Sequence, residues 1–352
     1  MSMAICGVRN RMNAVVVLCF TAMCLYSPSL AAQTKPQIKP QTKPQTKPMA
    51  EWGTRAPLIE PNSEMAVAHL DGKIYVVGGY PSTRISVDTV HVYDVKSDSW
   101  RLTTPYPTTI NHASAVGLDG VLYVIGGQLS AGGRGADAGY TSAVHAFDPK
   151  TEKWTVRAPM PTERSGMAHD VIDGKIYVAG GRPPRGHDFA VYDPKVDKWT
   201  SLPDLPTARN HMAAAAIGGR LHVAGGRFGG GFRSEITAVL EVYDPATNTW
   251  TTKQPMPEAR SGINGIAING CFHTFGGEHP SAGPSGVFPH HVVYDPKADS
   301  WTRMADMPIP VHGVTGLAYV NGWIHLPGGG TRMGGSSGGT HHQVVRPGMR
   351  CD

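Results

Sequence analysis

Residues Asp173–Trp199 read DGKIYVAGGRPPRGHDFAVYDPKVDKW. Asp173-Gly174 opens an apolar, β-branched and aromatic run that ends at Gly180-Gly181. A loop follows, then a second apolar run ending in Tyr192-Asp193-Pro194, a turn, and Trp199. Asp-Gly ahead of such a run is a hairpin signal, and the Asp-Pro segment is turn chemistry. Upstream, GMAHDVI (Gly166–Ile172) reads as a strand of small residues. The unit therefore holds four strands: a (small), b (ending in Gly-Gly), c (ending in Tyr-Asp) and d (around Trp).

Working outward, the unit recurs six times. Gly-Gly pairs begin at Gly78, Gly126, Gly180, Gly225, Gly276 and Gly328, and tryptophans stand at Trp52, Trp100, Trp154, Trp199, Trp250 and Trp301. From each Trp to the next Gly-Gly the distance is 26, 26, 26, 26, 26 and 27 residues. From Gly-Gly to the next Trp it is 22, 28, 19, 25 and 25, so length variation is confined to the segment from strand b to strand d. Four-stranded units on a period of about 50 residues predict a β-propeller. A solenoid or a two-sheet sandwich would not give six equal units with a piece missing at one end. After Gly328 comes a strand-like HHQVV (His341–Val345) with no closing Trp, and Trp52 precedes the first strand a. The Trp52 segment is expected to supply strand d of the last blade, closing the ring and removing open sheet edges. Stacked blades bury both faces of strands such as IYVV, with Trp and Tyr carrying much of the area. Truncating one of these aromatics should cost about 3–5 kcal/mol.

Gly-Gly followed by spaced Tyr and Trp, in six copies over about residues 50–350, resembles the Kelch repeat. The resemblance implies an all-β, six-bladed propeller of four-stranded Kelch blades. His222, His273 and His325 depart from the Tyr75/Tyr123/Tyr177 pattern three residues before Gly-Gly, and are read as packing residues.

The ends read differently from the body. Arg9 and Arg11, the apolar run Ala14–Tyr26 and the small residues Ser29, Ala31 and Ala32 form the order of a secretory signal peptide, assigned to 1–32. Residues 33–48 repeat QTKP/QIKP four times, a polyproline-II-like tether whose lysines suit an anionic envelope polymer. Residues 49–352 form the propeller. The expected location is secreted or periplasmic, without a membrane span once the signal is cleaved, and the chain is expected to be a monomer. Taking the two leader arginines and four tether lysines from the formal +5 leaves the body at −1, so nucleic acid is not an expected partner. Cys6, Cys19 and Cys24 leave with the signal. Cys271 and Cys351 should lie in neighbouring blades on the face opposite the mouth, where a disulfide is permitted.

In a propeller strand a lines the channel, and the d-to-a and b-to-c loops share one mouth. Aligned on Gly-Gly, the position sixteen before holds Asn62, Ile110, Arg164, Arg209, Arg260 and His312. Fourteen before stand Glu64, His112, Gly166, His211, Gly262 and Val314; two after stand Tyr80, Gln128, Arg182, Arg227, Glu278 and Gly330. All three sets are expected at the mouth as a polar funnel whose planar guanidinium groups suit carboxylates, sulfates and phosphates. The alternative for Arg164, Arg209 and Arg260 is bonding to backbone carbonyls of neighbouring blades. The binding set is thus Arg164, Arg209, Arg260, Arg182, Arg227, Glu278, Tyr80, Gln128, His112, His211 and His312.

No cofactor is expected. The histidines lack a recognised metal spacing, so no metal is assigned. Copper-radical oxidases resemble this fold but need a Tyr–Cys crosslink that neither remaining Cys is placed to make. No Gly-x-Ser-x-Gly elbow is present, and the Gly-rich loops lack a strand–helix context. The first functional expectation is a binding module for an anionic saccharide, organic acid or protein partner. The second is a sugar-active enzyme with Glu278 or Glu64 as acid–base group beside His and Arg. The exported Kelch-like sialic-acid mutarotase is its nearest precedent, though its site is not matched residue by residue. The third is a structural surface protein whose loops contact other proteins.

Overall fold

Local hairpin chemistry dictates six antiparallel blades, and the computed structural model shows them, with a small three-stranded sheet (Ile110–Asn111, Gln128–Ala131 and Ala136–Tyr140) beside them. It describes residues 50–82, 85–131 and 136–352; the expected leader and tether lie outside the described residues. Blade 3 has strands a Ala168–Ile172, b Lys175–Ala179, c Phe189–Asp193 and d Lys198–Ser201, paired in that order. Blades 1, 2, 4 and 5 repeat the order, with their strands a beginning at Met65, Ser114, Ala213 and Asn264. Blade 6 takes strands a Ala318–Val320, b Trp323–Pro327 and c His342–Arg346, and its strand d is Glu51–Thr54. Trp52 sits opposite Val345 there, so the N-terminal strand completes the last blade.

In blades 1 to 5 the aromatic residue seven before the Trp is its cross-strand partner. Tyr93 faces Trp100, Phe147 faces Trp154, Tyr192 faces Trp199, Tyr243 faces Trp250 and Tyr294 faces Trp301. Each such Trp also reaches sideways. Trp199 Nε1 donates to the Ala158 carbonyl of the preceding blade at 2.9 Å, and Trp100 Nε1 to Ala56 at 2.8 Å. The Tyr hydroxyls anchor the same seam: Tyr192 donates to Asp197, which accepts the Ala158 amide with the same oxygen. One buried aromatic thus ties a hairpin to its neighbour, as a partner-seeking hydroxyl or indole N–H requires.

Strand b supplies the second seam. Tyr75, Tyr123 and Tyr177 each pack edge-on or tilted against the strand-c aromatic of the next blade at 6.0–6.2 Å. His222 and His325 fill the same place against Tyr294 and Tyr93, at 6.1 and 5.8 Å. His273 instead pairs with His291, Nδ1 to Nε2, at 3.0 Å. Cys271 and Cys351 are joined by a disulfide with Cα atoms 5.2 Å apart, and the Cys351 amide bonds Asn269. Among the described residues no helix is long and apolar enough to cross a membrane.

Candidate functional site: a side-chain ring on the propeller axis

The backbone makes the first ring. Glu64 N donates to Gly313 O, Gly313 N to Gly262 O, Gly262 N to His211 O, His211 N to Gly166 O, Gly166 N to His112 O, and His112 N to Glu64 O. Those six residues all have positive φ, between 51° and 68°. That conformation aims each N–H at one neighbouring blade and each C=O at the other. Glycine adopts it freely; Glu and His do so at a cost of about 1–2 kcal/mol. Where Gly313 stands, a Cβ would lie 2.6 Å from the Glu64 carboxyl carbon.

Blade 6 departs by one residue from the alignment on Gly-Gly. Gly313, not Val314, occupies the ring position, because the 27-residue spacing places its extra residue between the ring and Gly328. Val311 accordingly takes the place of Arg260, and its carbonyl accepts the Gly277 amide as Arg260 accepts that of Gly226. His312 then corresponds to Ser63, Asn111, Ser165, Asn210 and Ser261, one residue before the ring.

The expectation that all three aligned positions meet at the mouth is corrected for one of them. Arg164, Arg209 and Arg260 are fully buried and turn into their own blades. Arg164 donates to the carbonyls of Val178, Gly180 and Asp188. Arg209 donates to those of Gly225, Thr207 and Val223 and pairs with buried Glu241. Arg260 donates to Gly276 and His290 carbonyls and to the Thr274 hydroxyl. Carbonyl bonding, the alternative expectation, is what these arginines do, but the carbonyls are those of their own blades and not of the neighbouring ones. The several N–H donors of a guanidinium let one side chain serve several carbonyls around Gly-Gly. Burial lowers Arg164 and Arg260 to about 10, which leaves both charged at neutral pH.

The other two positions do converge, as a closed ring of side chains. Glu64 Oε2 lies 3.0 Å from His112 Nε2, which lies 3.0 Å from Arg182 Nη2. Arg182 also donates to Gln128 Oε1 and approaches His211 Nε2 at 3.5 Å. His211 Nε2 accepts from Arg227 at 2.7 Å, and Arg227 pairs with Glu278 Oε1 at 2.7 Å. His312 Nδ1 sits between Glu278 Oε2 (3.5 Å) and Glu64 Oε1 (3.4 Å), which returns the ring to its start. Tyr80 places its ring 5.8 Å from that of His112. Gly330 contributes backbone only, paired with His312.

Sequence reasoning missed the residues that orient this ring. Asn111 Oδ1 holds His112 Nδ1, and Asn210 Oδ1 holds His211 Nδ1 at 2.6 Å. Their signal was the run of Ser and Asn one residue before the ring position in blades 1 to 5. The b-to-c loop of blade 6, Gly330–Gly339, is legible in the sequence as a variable loop of the mouth, but its closure on the ring is not: Gly334 N donates to Glu278 Oε2 at 2.8 Å, Met333 N to Ser285 O, and Gly334 lies against Phe232. Farther along strand a a separate cavity of about 390 Å³ carries His69, His169 and Asp170.

Charge in the ring is unevenly matched. Burial opposes charge on His312, but Glu278 and Glu64 outweigh it and raise His312 to about 9, making it an imidazolium. Burial also opposes ionisation of Glu64, yet His112 and His312 hold its carboxyl well below the usual range. Burial and the arginines keep His211 well below its ordinary value, so it is neutral. Glu64, His112 and His211 bring donor atoms within 4.8 Å of one another, as do Glu64, Glu278 and His312. Arginine already supplies the positive charge in that space.

Fold and site together define a propeller with a polar plug on its axis. A family model for the KLHDC2/KLHL20/DRC7 Kelch-repeats domain matches residues 45–226 and 114–329, and the chain belongs to the Kelch-repeat family. It is 33% identical over 294 residues to Kelch-like protein terF of Aspergillus terreus, covering 78% of this chain and 62% of that protein. It is 32% identical over 280 residues to Kelch-like protein 40 of Mus musculus, covering 79% and 36%. The chain thus spans less than two thirds of these relatives. The solved structure of YjhT superposes with a TM-score of 0.67 at 17% identity, over 83% of this chain and 99% of that one, a likeness of fold.

Proposed function

We propose that this Kelch propeller is an exported recognition module whose mouth takes an anionic group, carried by an acidic saccharide, an organic acid or a protein partner. Arg182 carries the reading. The residue is partly buried at the mouth, and among the described residues its hydrogen bonds go to neutral acceptors, Gln128, His112 and His211. Arg227, by contrast, is buried against Glu278. Among the described residues no carboxylate pairs with Arg182, and a planar fork without a counter-ion is a seat for a carboxylate, sulfate or phosphate. The leader-like N-terminus and Lys-Pro tether support export, as does the disulfide, which suits an oxidising compartment.

The test is a screen of acidic saccharides, dicarboxylates and peptide termini against the full chain. Binding that is lost in Arg182→Ala and kept in Arg185→Ala supports the reading; binding unaltered in Arg182→Ala removes this site. The sugar-active alternative draws less support, because Glu278 and Glu64 are both buried and paired. Turnover of a bound sugar that disappears in Glu278→Gln while binding persists would reinstate it.

A further inference from the structure

His112 is caught between two demands that a single ring nitrogen does not meet. Asn111 fixes one side: its Nδ2 donates to Ser86 Oγ at 2.6 Å and to Gln128 O at 3.2 Å, which turns Oδ1 toward His112 Nδ1. Nδ1 must therefore carry a proton. The remaining atom, Nε2, lies 3.0 Å from Arg182 Nη2 and 3.0 Å from Glu64 Oε2. A guanidinium only donates and a carboxylate only accepts. Bare Nε2 satisfies Arg182 and faces the lone pairs of Glu64. Protonated Nε2 satisfies Glu64 and faces a cation.

His211 shows what a settled case looks like. Its Nδ1 is held by Asn210, and its Nε2 accepts from Arg227 at 2.7 Å, with no carboxylate in the ion-pair range among the described residues. Around His112 the facing groups are Glu64 and the Tyr80 ring from blade 1, Asn111 and Gln128 from blade 2, Arg182 from blade 3, and His211 and Arg227 from blade 4. Glu64 is the one anion in that set. Burial lowers His112, Glu64 opposes this, and Arg182 and then Arg227 add to the lowering. Of the two arginines, Arg182 is the one partly exposed, and among the described residues it has no carboxylate partner.

We infer that binding of an anion at the mouth is coupled to proton uptake by His112. The anion draws Arg182 off Nε2; a solvent proton then forms the Nε2–H bond, and His112 donates to Glu64 Oε2. No other bond is made or broken. His112 is thus a positioning residue that makes ligand binding stronger as pH falls. The inference rests on the anion reading of Arg182, but its test needs no ligand.

Full-length protein with 13C-labelled histidine is titrated by NMR, the His112 signal being assigned by its loss in His112→Gln. Arg182→Gln removes the cation as an arriving anion would, and should raise the His112 pKa by about 1–3 units, the size of one close charge. Arg182→Met reads the same shift should the Gln variant misfold. Arg182→Lys and Arg185→Gln should leave it low. A His112 titration identical in wild type, Arg182→Gln and Arg182→Met overturns the coupling while leaving anion binding to its own screen. A raised value alongside an empty screen would retain the proton switch and remove the ligand.

Discussion

The amide of Glu64 in the first blade donates to the carbonyl of Gly313 in the last, at 2.5 Å. Sequence distance between them is nearly the whole propeller, yet the bond belongs to a set of six that passes from blade to blade. Beside it, Met65 and Val314 pair as parallel strands, and Trp52 pairs with Val345 farther out. Three kinds of contact thus join the two ends of the fold.

Gly313 offers the sharpest test of that junction. Its φ is 68°, and an added Cβ would meet the Glu64 carboxyl at 2.6–2.8 Å. Gly322, with φ 82°, has open space around it. Gly313→Ala should destabilise by about 2–4 kcal/mol and Gly322→Ala by about 1 kcal/mol, the left-handed backbone penalty alone. Urea unfolding of both variants measures the difference; equal losses would deny the Glu64 contact any role.

The turned-in arginines should behave as structure. Arg209→Met strands buried Glu241 and three carbonyls, and should cost about 3–5 kcal/mol. Arg182→Ala should cost less, about 1–3 kcal/mol, because its buried partners Gln128, His112 and His211 are neutral and no buried carboxylate is stranded. Denaturation midpoints of the two variants decide it, and a reversed order would contradict the assignment.

Stability should fall on both sides of neutrality, for opposite reasons. Burial holds His169, His222, His273 and His342 at about 4, against an ordinary 6.5. Between those values the unfolded chain binds more protons, so this contribution is full above 6.5 and is lost as pH falls toward 4. His312 is raised to about 9, so its contribution is full below 6.5 and is lost as pH rises toward 9. Chemical denaturation across this range should show both limbs. His312→Gln should flatten the alkaline limb and leave the acid limb intact.

The disulfide closes a sequence separation of 80 residues. Reduction, or Cys271→Ser with Cys351→Ser, should cost about 2–5 kcal/mol through the unfolded state. Melting with and without reductant reads this directly, and an unchanged midpoint would argue that the tail contributes nothing.

Trp100 and Trp52 should separate a hydrogen bond from packing. Trp100 Nε1 donates to Ala56 O at 2.8 Å, whereas buried Trp52 Nε1 has no partner among the described residues. Trp100→Phe should cost about 1 kcal/mol more than Trp52→Phe. Equal losses in thermal unfolding would reduce the indole bonds to bystanders.

Blade number, strand order and the crossing of Trp52 into the last blade were legible in the chain, because each follows from local signals. Asp-Gly makes a hairpin, Gly-Gly ends a strand, and an aromatic seven before Trp is its cross-strand partner. The six near-equal spacings then leave one way to close the sheet edges. The site was legible only as columns. Arg164 and Arg182 both stand in the expected binding set, Arg164 with carbonyl bonding as its alternative, and only the fold shows that one is spent on carbonyls and the other reaches the axis. The extra residue of blade 6 replaced Val314 by Gly313 and brought His312 between two carboxylates. A side chain's direction depends on the backbone angles and on which neighbouring groups lack partners, and both are set by six blades meeting at one axis. Local patterning therefore determined the wheel, while the three-dimensional closure determined which charges meet at its hub.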